Sequence, residues 1–182
     1  MRLIVPVAIA AVLTIAGCNN EAETRMPKPV AMTEAAIGHY CGMNVLEHPG
    51  PKGQIMLGPN PEPVWFSSAR DLVAFTMLPE ESKNISALYV SDMGKAASWE
   101  EPGAENWVEA RQAFYVIGSS MRGGMGAPET VPFASEAAAA AFADRNGGEI
   151  VEFAEIPTDY VLGTEDFAVD DDTLPQTSDS TQ

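Results

Sequence analysis

Val64-Trp65-Phe66-Ser67-Ser68 returns 67 residues later as Val131-Pro132-Phe133-Ala134-Ser135, and the alignment runs on until Phe75 lies over Phe142. Each copy sets a short apolar run before a serine able to cap a helix. Ser67 or Ser68 opens a helix over residues 69–77, and Ser135 opens one over 136–145. The second helix is alanine-rich with Phe142 as its bulky anchor, and Gly147-Gly148 supplies its C-cap. Repetition at a fixed offset marks related structural units, so the flanks are read as a pair. A β-rich run follows each helix, at 85–90 and at 149–156, where Ile150, Glu152, Ala154 and Ile156 fall on one side of a strand. A further strand candidate precedes each copy, at 54–57 and 113–117. The predicted fold is therefore α+β, two related small ββαβ halves packed together, spanning 37–98 and 99–164. Neither half is large enough to stand without burying a face on the other.

Outside the repeat the composition changes. Residues 1–17 carry one positive charge, Arg2, then an apolar run over 3–15, then Ala16-Gly17 directly before Cys18. That run is short for a bilayer span, and small residues before a cysteine make a lipoprotein cleavage site. Cleavage leaves the Cys18 thiol to carry lipid, so the mature chain is expected to be membrane-anchored in an oxidising compartment. Residues 18–36 are polar and proline-bearing and read as a flexible tether. About 18 extended residues reach on the order of 60 Å. The acidic tail, 165–182, contains Asp170-Asp171-Asp172 followed by Thr, Ser, Pro and Gln, and reads as disordered.

Ten basic residues against 26 acidic ones give a net charge of -16 over 182 residues, which excludes nucleic acid as a partner because no basic stripe is available to neutralise phosphates. The acid excess reads as a solvated surface. Of two cysteines in the chain, lipidation consumes Cys18 and leaves Cys41. A single thiol in an exported chain cannot staple its own fold. Cys41 is thus buried and inert, paired to another chain, or functional.

Cys41 lies in His39-Tyr40-Cys41-Gly42-Met43. If this segment is extended, His39, Cys41 and Met43 share one face, so an imidazole, a thiol and a thioether converge without any special turn. Thiolate and thioether are soft donors that select Cu(I), and imidazole suits copper or zinc. Five residues beyond Met43, His48 precedes Pro49-Gly50-Pro51, a turn able to fold it back toward the same site. His39 and His48 also have bland readings, as a solvated strand opening and an exposed turn.

A second feature is Met121-Arg122-Gly123-Gly124-Met125-Gly126-Ala127-Pro128-Glu129, in which three glycines frame Met125. A methionine in such a loop has little to pack on, contrary to the usual role of Met as core filler. Glycines there let the backbone approach something closely. The loop lacks the Gly-Lys-Ser/Thr ending of a phosphate cradle. Other methionines have ordinary readings: Met56 and Met77 as core, Met26 and Met32 in the tether, Met93 at a strand end. Catalysis by a Cys41–His pair needs an imidazole within hydrogen-bond reach, and neither an oxyanion loop nor a paired-carboxylate pattern accompanies it.

Taken together, the lipobox ending at Cys18, Tyr40-Cys41-Gly42-Met43, Gly53-Gln54-Ile55-Met56, and Met125-Gly126-Ala127-Pro128-Glu129 with Pro132-Phe133 and Gly147-Gly148 resemble the NosL family, lipoprotein copper chaperones of the nitrous oxide reductase assembly system. The resemblance covers about residues 1 to 157, and the acidic tail matches no part of it. It implies Cu(I) as cargo, with Cys41, Met43 and Met125 as ligands and His48 as a neighbour, and Cys18 as the lipid carrier. It implies delivery to the reductase in company with a membrane ABC-type complex, in the periplasm, with the outer membrane favoured over the inner. A fold of two ββαβ halves similar to that of the organomercurial lyases is also implied. That last likeness sets up an alternative, a thiolate-dependent enzyme acting through Cys41. A third reading is a structural lipoprotein in which Cys41 is simply buried.

Overall fold

The computed structural model describes residues 26–60 and 62–163; the signal, Cys18 and the acidic tail all lie outside them. Strands β1 (Gly53–Leu57) and β2 (Val64–Phe66) lead into helix α1 (Ala69–Met77), and β3 (Ile85–Ser91) returns to pair with β1. Strand β4 (Trp107–Glu109) then adds to the outer side of β3, so the first sheet has the antiparallel order β2-β1-β3-β4. The second half repeats the plan: β5 (Phe114–Ile117), β6 (Val131–Phe133), helix α2 (Glu136–Asn146) and β7 (Glu149–Glu152), in the order β6-β5-β7. In both sheets the first strand of the unit is central and the second and third flank it. The register agrees: Gly53 faces Phe66 and Val90, and Phe114 faces Phe133 and Glu152.

The caps fall where the repeat puts them. Ser68 accepts from the Asp71 amide at the start of α1, and Ser135 accepts from Ala138 at the start of α2. Gly147 follows α2 at φ 73°, a left-handed conformation that only glycine adopts without strain.

Alternation along β5 joins the halves. Phe114 and Val116 face α2 with Val131, Phe133 and Phe142, while Tyr115 enters the core of the first half among Ile55, Phe66, Leu72, Phe75 and Leu88. The Tyr115 hydroxyl donates to the Ala110 carbonyl at 2.7 Å, so the ring is buried without orphaning its polar end. Ile156 and Val161 also pack into that first core. Each half thus completes the other, as their size requires.

Three expectations differ from the structure. The strand expected over 149–156 stops at Glu152, because residues 153–155 tighten into a 3₁₀ turn that swings Ile156 into the shared core, and helix α3 (Thr158–Leu162) follows. Strand β4 had no counterpart in the repeat and was not expected. Residues 27–36, read as tether, lie packed on the first sheet. The Gln54 side chain makes two hydrogen bonds with the Val30 backbone, at 2.8 and 2.9 Å, and the Tyr89 hydroxyl donates to the Pro27 carbonyl at 2.6 Å. Met32, Ala36 and Val45 cluster under Trp65 and Trp107. Burial of Met32 and Ala36 and these three hydrogen bonds are what hold the segment against the entropy of ordering it. Among the described residues no helix is long and apolar enough to cross a membrane.

Candidate metal centre

The segment expected as a strand carrying His39, Cys41 and Met43 on one face is a tight turn. Ile37 bridges Asn44, the Gly38 amide donates to the Met43 carbonyl and the Gly42 amide to the Gly38 carbonyl, both at 2.9 Å. Gly42 closes the turn at φ 66°. With the chain reversed, period-2 alternation no longer applies, and the three side chains part. His39 turns toward α1, its Nε2 3.3 Å from Glu81 and its ring edge-on to Phe66 and Phe75. Cys41 instead sits at the end of β2: the His39 amide donates to the Trp65 carbonyl at 2.7 Å, and the thiol lies 3.5 Å from the Ser67 hydroxyl. Cys41 is the free cysteine of the described chain and is partly exposed. Met43 is 39% exposed.

A 3₁₀ turn over Val45–Glu47, capped by Asn44 accepting from the Leu46 amide, carries the chain to His48. His48 is buried, and its Nε2 has no hydrogen-bond partner. The ring rests on the glycine-rich loop, since a Cβ built on Gly124 would lie 2.5 Å from His48 Cβ. The loop over residues 121–129 is folded back on itself: Arg122 bridges Pro128, Gly123 donates to Ala127 at 3.0 Å, and Gly126 donates to Gly123 at 2.8 Å. Met125 stands at its tip, 59% exposed.

Glu129 anchors the loop. Its Oε1 accepts from the Arg70 amide at 2.8 Å, the Thr130 amide at 2.9 Å and the Ser68 hydroxyl at 3.2 Å. Burial pushes the Glu129 carboxyl up to about 7 despite the opposing hydrogen bonds, and burial brings the Lys52 amine down to about 8, with Glu129 opposing that shift. Lys52 is itself buried and donates to the Pro49 and Gly50 carbonyls at 3.1 and 2.7 Å, bracing the turn after His48.

Two adjacent serines at the start of α1 therefore bring the sulfur-bearing segments to one place. Cys41 lies on Ser67, while Glu129 and the base of the Met125 loop lie on Ser68. The Cys41 turn and the base of the glycine-rich loop thus rest on neighbouring serines, His48 lies against Gly124 of that loop, Met43 belongs to the same turn as Cys41, and His39 is directed toward Glu81. The donors offered are soft and accessible. Among the described residues no three His, Cys, Asp or Glu side chains gather to hold a metal. Thiol and thioether are soft donors, the kind that suit a soft metal ion.

Glu129, Ser67, Ser68 and Lys52 were not singled out from the sequence as functional. Glu129 had one signal, a carboxylate held between Pro128 and the apolar run 131–133, where a solvated charge is out of place.

The NosL family model matches residues 29–161. A copper-binding lipoprotein NosL of Achromobacter cycloclastes is 47% identical over 174 residues, covering 92% of this chain and 90% of that protein. One of the same description from Stutzerimonas stutzeri is 34% identical over 150 residues, covering 82% of this chain and 77% of that protein. The crystal structure of the copper chaperone NosL from Shewanella denitrificans matches with a TM-score of 0.68 and 33% identity, covering 72% of this chain and 97% of that one. With the repeat, the turn around Cys41 and the loop around Met125 in place, these likenesses settle its kinship: the chain belongs to the NosL family.

Proposed function

We propose that this chain is a lipid-anchored carrier of Cu(I), holding the ion between Cys41, Met43 and Met125 with His48 beside them. The carrying observation is the meeting of the Cys41 turn and the Met125 loop at the start of α1. The descriptions of the relatives, copper-binding lipoprotein and copper chaperone, support the same reading. Soft donors bind Cu(I) through polarisable bonds, and an exposed thioether on a hairpin tip can leave first as a partner's donor arrives. Exchange through mixed-ligand steps needs no free ion.

The destination is the copper centre of nitrous oxide reductase, reached with a membrane ABC-type assembly complex. Lipid on Cys18 would hold the chain at the periplasmic side, on the outer membrane in preference to the inner. The acid excess favours encounter with a basic partner face, an effect that fades as salt screens it. No bond-breaking step is required of the chain, and the thiolate-enzyme alternative draws no support from a second nearby thiol among the described residues.

Cu(I) titration against a competing chelator tests the carrier. One ion per chain is expected, with near-complete loss in Cys41→Ser. Transfer to copper-free reductase in the presence of excess chelator tests delivery. Unchanged tight binding in Cys41→Ser, or turnover of an organomercurial, would refute the proposal.

A further inference from the structure

Glu129 is a fully buried carboxylate that bonds across the two halves. Its backbone belongs to the Met125 hairpin, and its Oε1 takes the Ser68 hydroxyl and the Arg70 amide at the start of α1, beside Ser67, on which Cys41 rests. The Arg70 amide is one of the donors that a helix start leaves without a partner in the helix, and a carboxylate is an acceptor well suited to it. Its second oxygen, Oε2, is buried without a partner, and a Cβ on Gly123 would approach it to 2.6 Å. The hairpin backbone therefore presses directly on the carboxylate. Burying a carboxylate with one oxygen unsatisfied is costly, and Glu129 belongs to neither apolar core.

We infer that Glu129 is a positioning residue for metal binding, latching the Met125 hairpin to the start of α1 so that the Met125 thioether is held over Cys41. The inference rests on the sulfur site proposed above. Glu129 itself touches no metal. It sets where Met125 stands, and so acts only through Met125.

A double-variant cycle of Cu(I) affinities, read by chelator competition on the full chain, tests it. Glu129→Ala should weaken Cu(I) binding about 10-fold or more, as loss of an outer partner of a metal ligand does. Glu129→Gln keeps an oxygen acceptor for Ser68 and Arg70 and should restore most of that loss. In a Met125→Leu background, Glu129→Ala should cost nothing further. A loss that persists in full without Met125, or a Gln variant as weak as Ala, would overturn the inference, because the carboxylate would then act on the fold or on Cys41. If Glu129→Ala yields no folded protein, Gly123→Ala replaces it, since it pushes the hairpin off the latch, with the same expectation in both backgrounds. Wild-type affinity in both Cys41→Ser and Met125→Leu would instead refute the sulfur site itself, whatever the Glu129 variants do.

Discussion

Gly38 and Cys41 are in contact across the turn: a Cβ placed on Gly38 would lie 2.5 Å from Cys41 Sγ. The missing side chain is what lets the thiol lie inward against Ser67. Gly38→Ala must rotate the thiol outward. Labelling of the apo-protein by a thiol reagent should therefore speed up, while Cu(I) affinity falls by about 10-fold, as displacing a ligand's support does. Slower labelling, or unchanged affinity, would contradict this geometry.

Gly124 plays the matching part in the second half. Its Cβ would meet His48 Cβ at 2.5 Å, on the stem of the side chain, where no rotation gives relief. Gly124→Ala should lift the hairpin off His48, weakening Cu(I) binding about 10-fold. Thermal or urea unfolding should register a loss of about 1–3 kcal/mol, the range for overpacking a close contact.

The two helix caps are equivalent in sequence but not in surroundings. Ser135 caps α2 at an exposed position, whereas Ser68 caps α1 while buried and also donates to Glu129. Ser135→Ala should cost about 0.5–1 kcal/mol and Ser68→Ala about 2 kcal/mol, measured by urea unfolding. Equal losses would show that the Ser68–Glu129 bond contributes nothing.

Stability should depend on pH through Glu129 and Lys52. Between the ordinary carboxylate value of 4.5 and about 7, the folded chain keeps a proton on Glu129 that the unfolded chain has released, so stability falls as pH rises through that window. Between about 8 and the ordinary amine value of 10.5, the unfolded chain keeps a proton that folded Lys52 has lost, so stability climbs there. The result is a minimum between about 7 and 8. Glu129→Gln should remove the lower limb, by up to about 3 kcal/mol, and extend the upper one to lower pH, because the Glu129 charge holds the Lys52 value up. A wild-type lower limb in that variant would contradict the role given to Glu129.

The repeated Val-x-Phe strand and its capping serine made both ββαβ units legible, because strand alternation and helix capping are local and recur at one offset. What escaped depended on distant partners. The His39-Cys41-Met43 alternation satisfies a strand period, yet the segment meets β2 only where Gly38 and His39 reach Trp65, and Gly42 then allows a reversal that periodicity does not detect. Met32 and Ala36 read as tether because their cover, Trp65 and Trp107, comes from β2 and β4, far along the chain. The soft residues Cys41, Met43 and Met125 stood out by type and by glycine context. Glu129 did not, since its burial is decided by a helix start about 60 residues earlier in the other half.

The most direct measurement of the central claim is X-ray absorption at the copper edge on Cu(I)-loaded protein, wild type beside Met125→Leu and Cys41→Ser. The account predicts an ion in a shell dominated by sulfur in the wild type, one sulfur fewer in Met125→Leu, and no intact shell in Cys41→Ser. A shell of nitrogen and oxygen, or one that neither substitution alters, would contradict it.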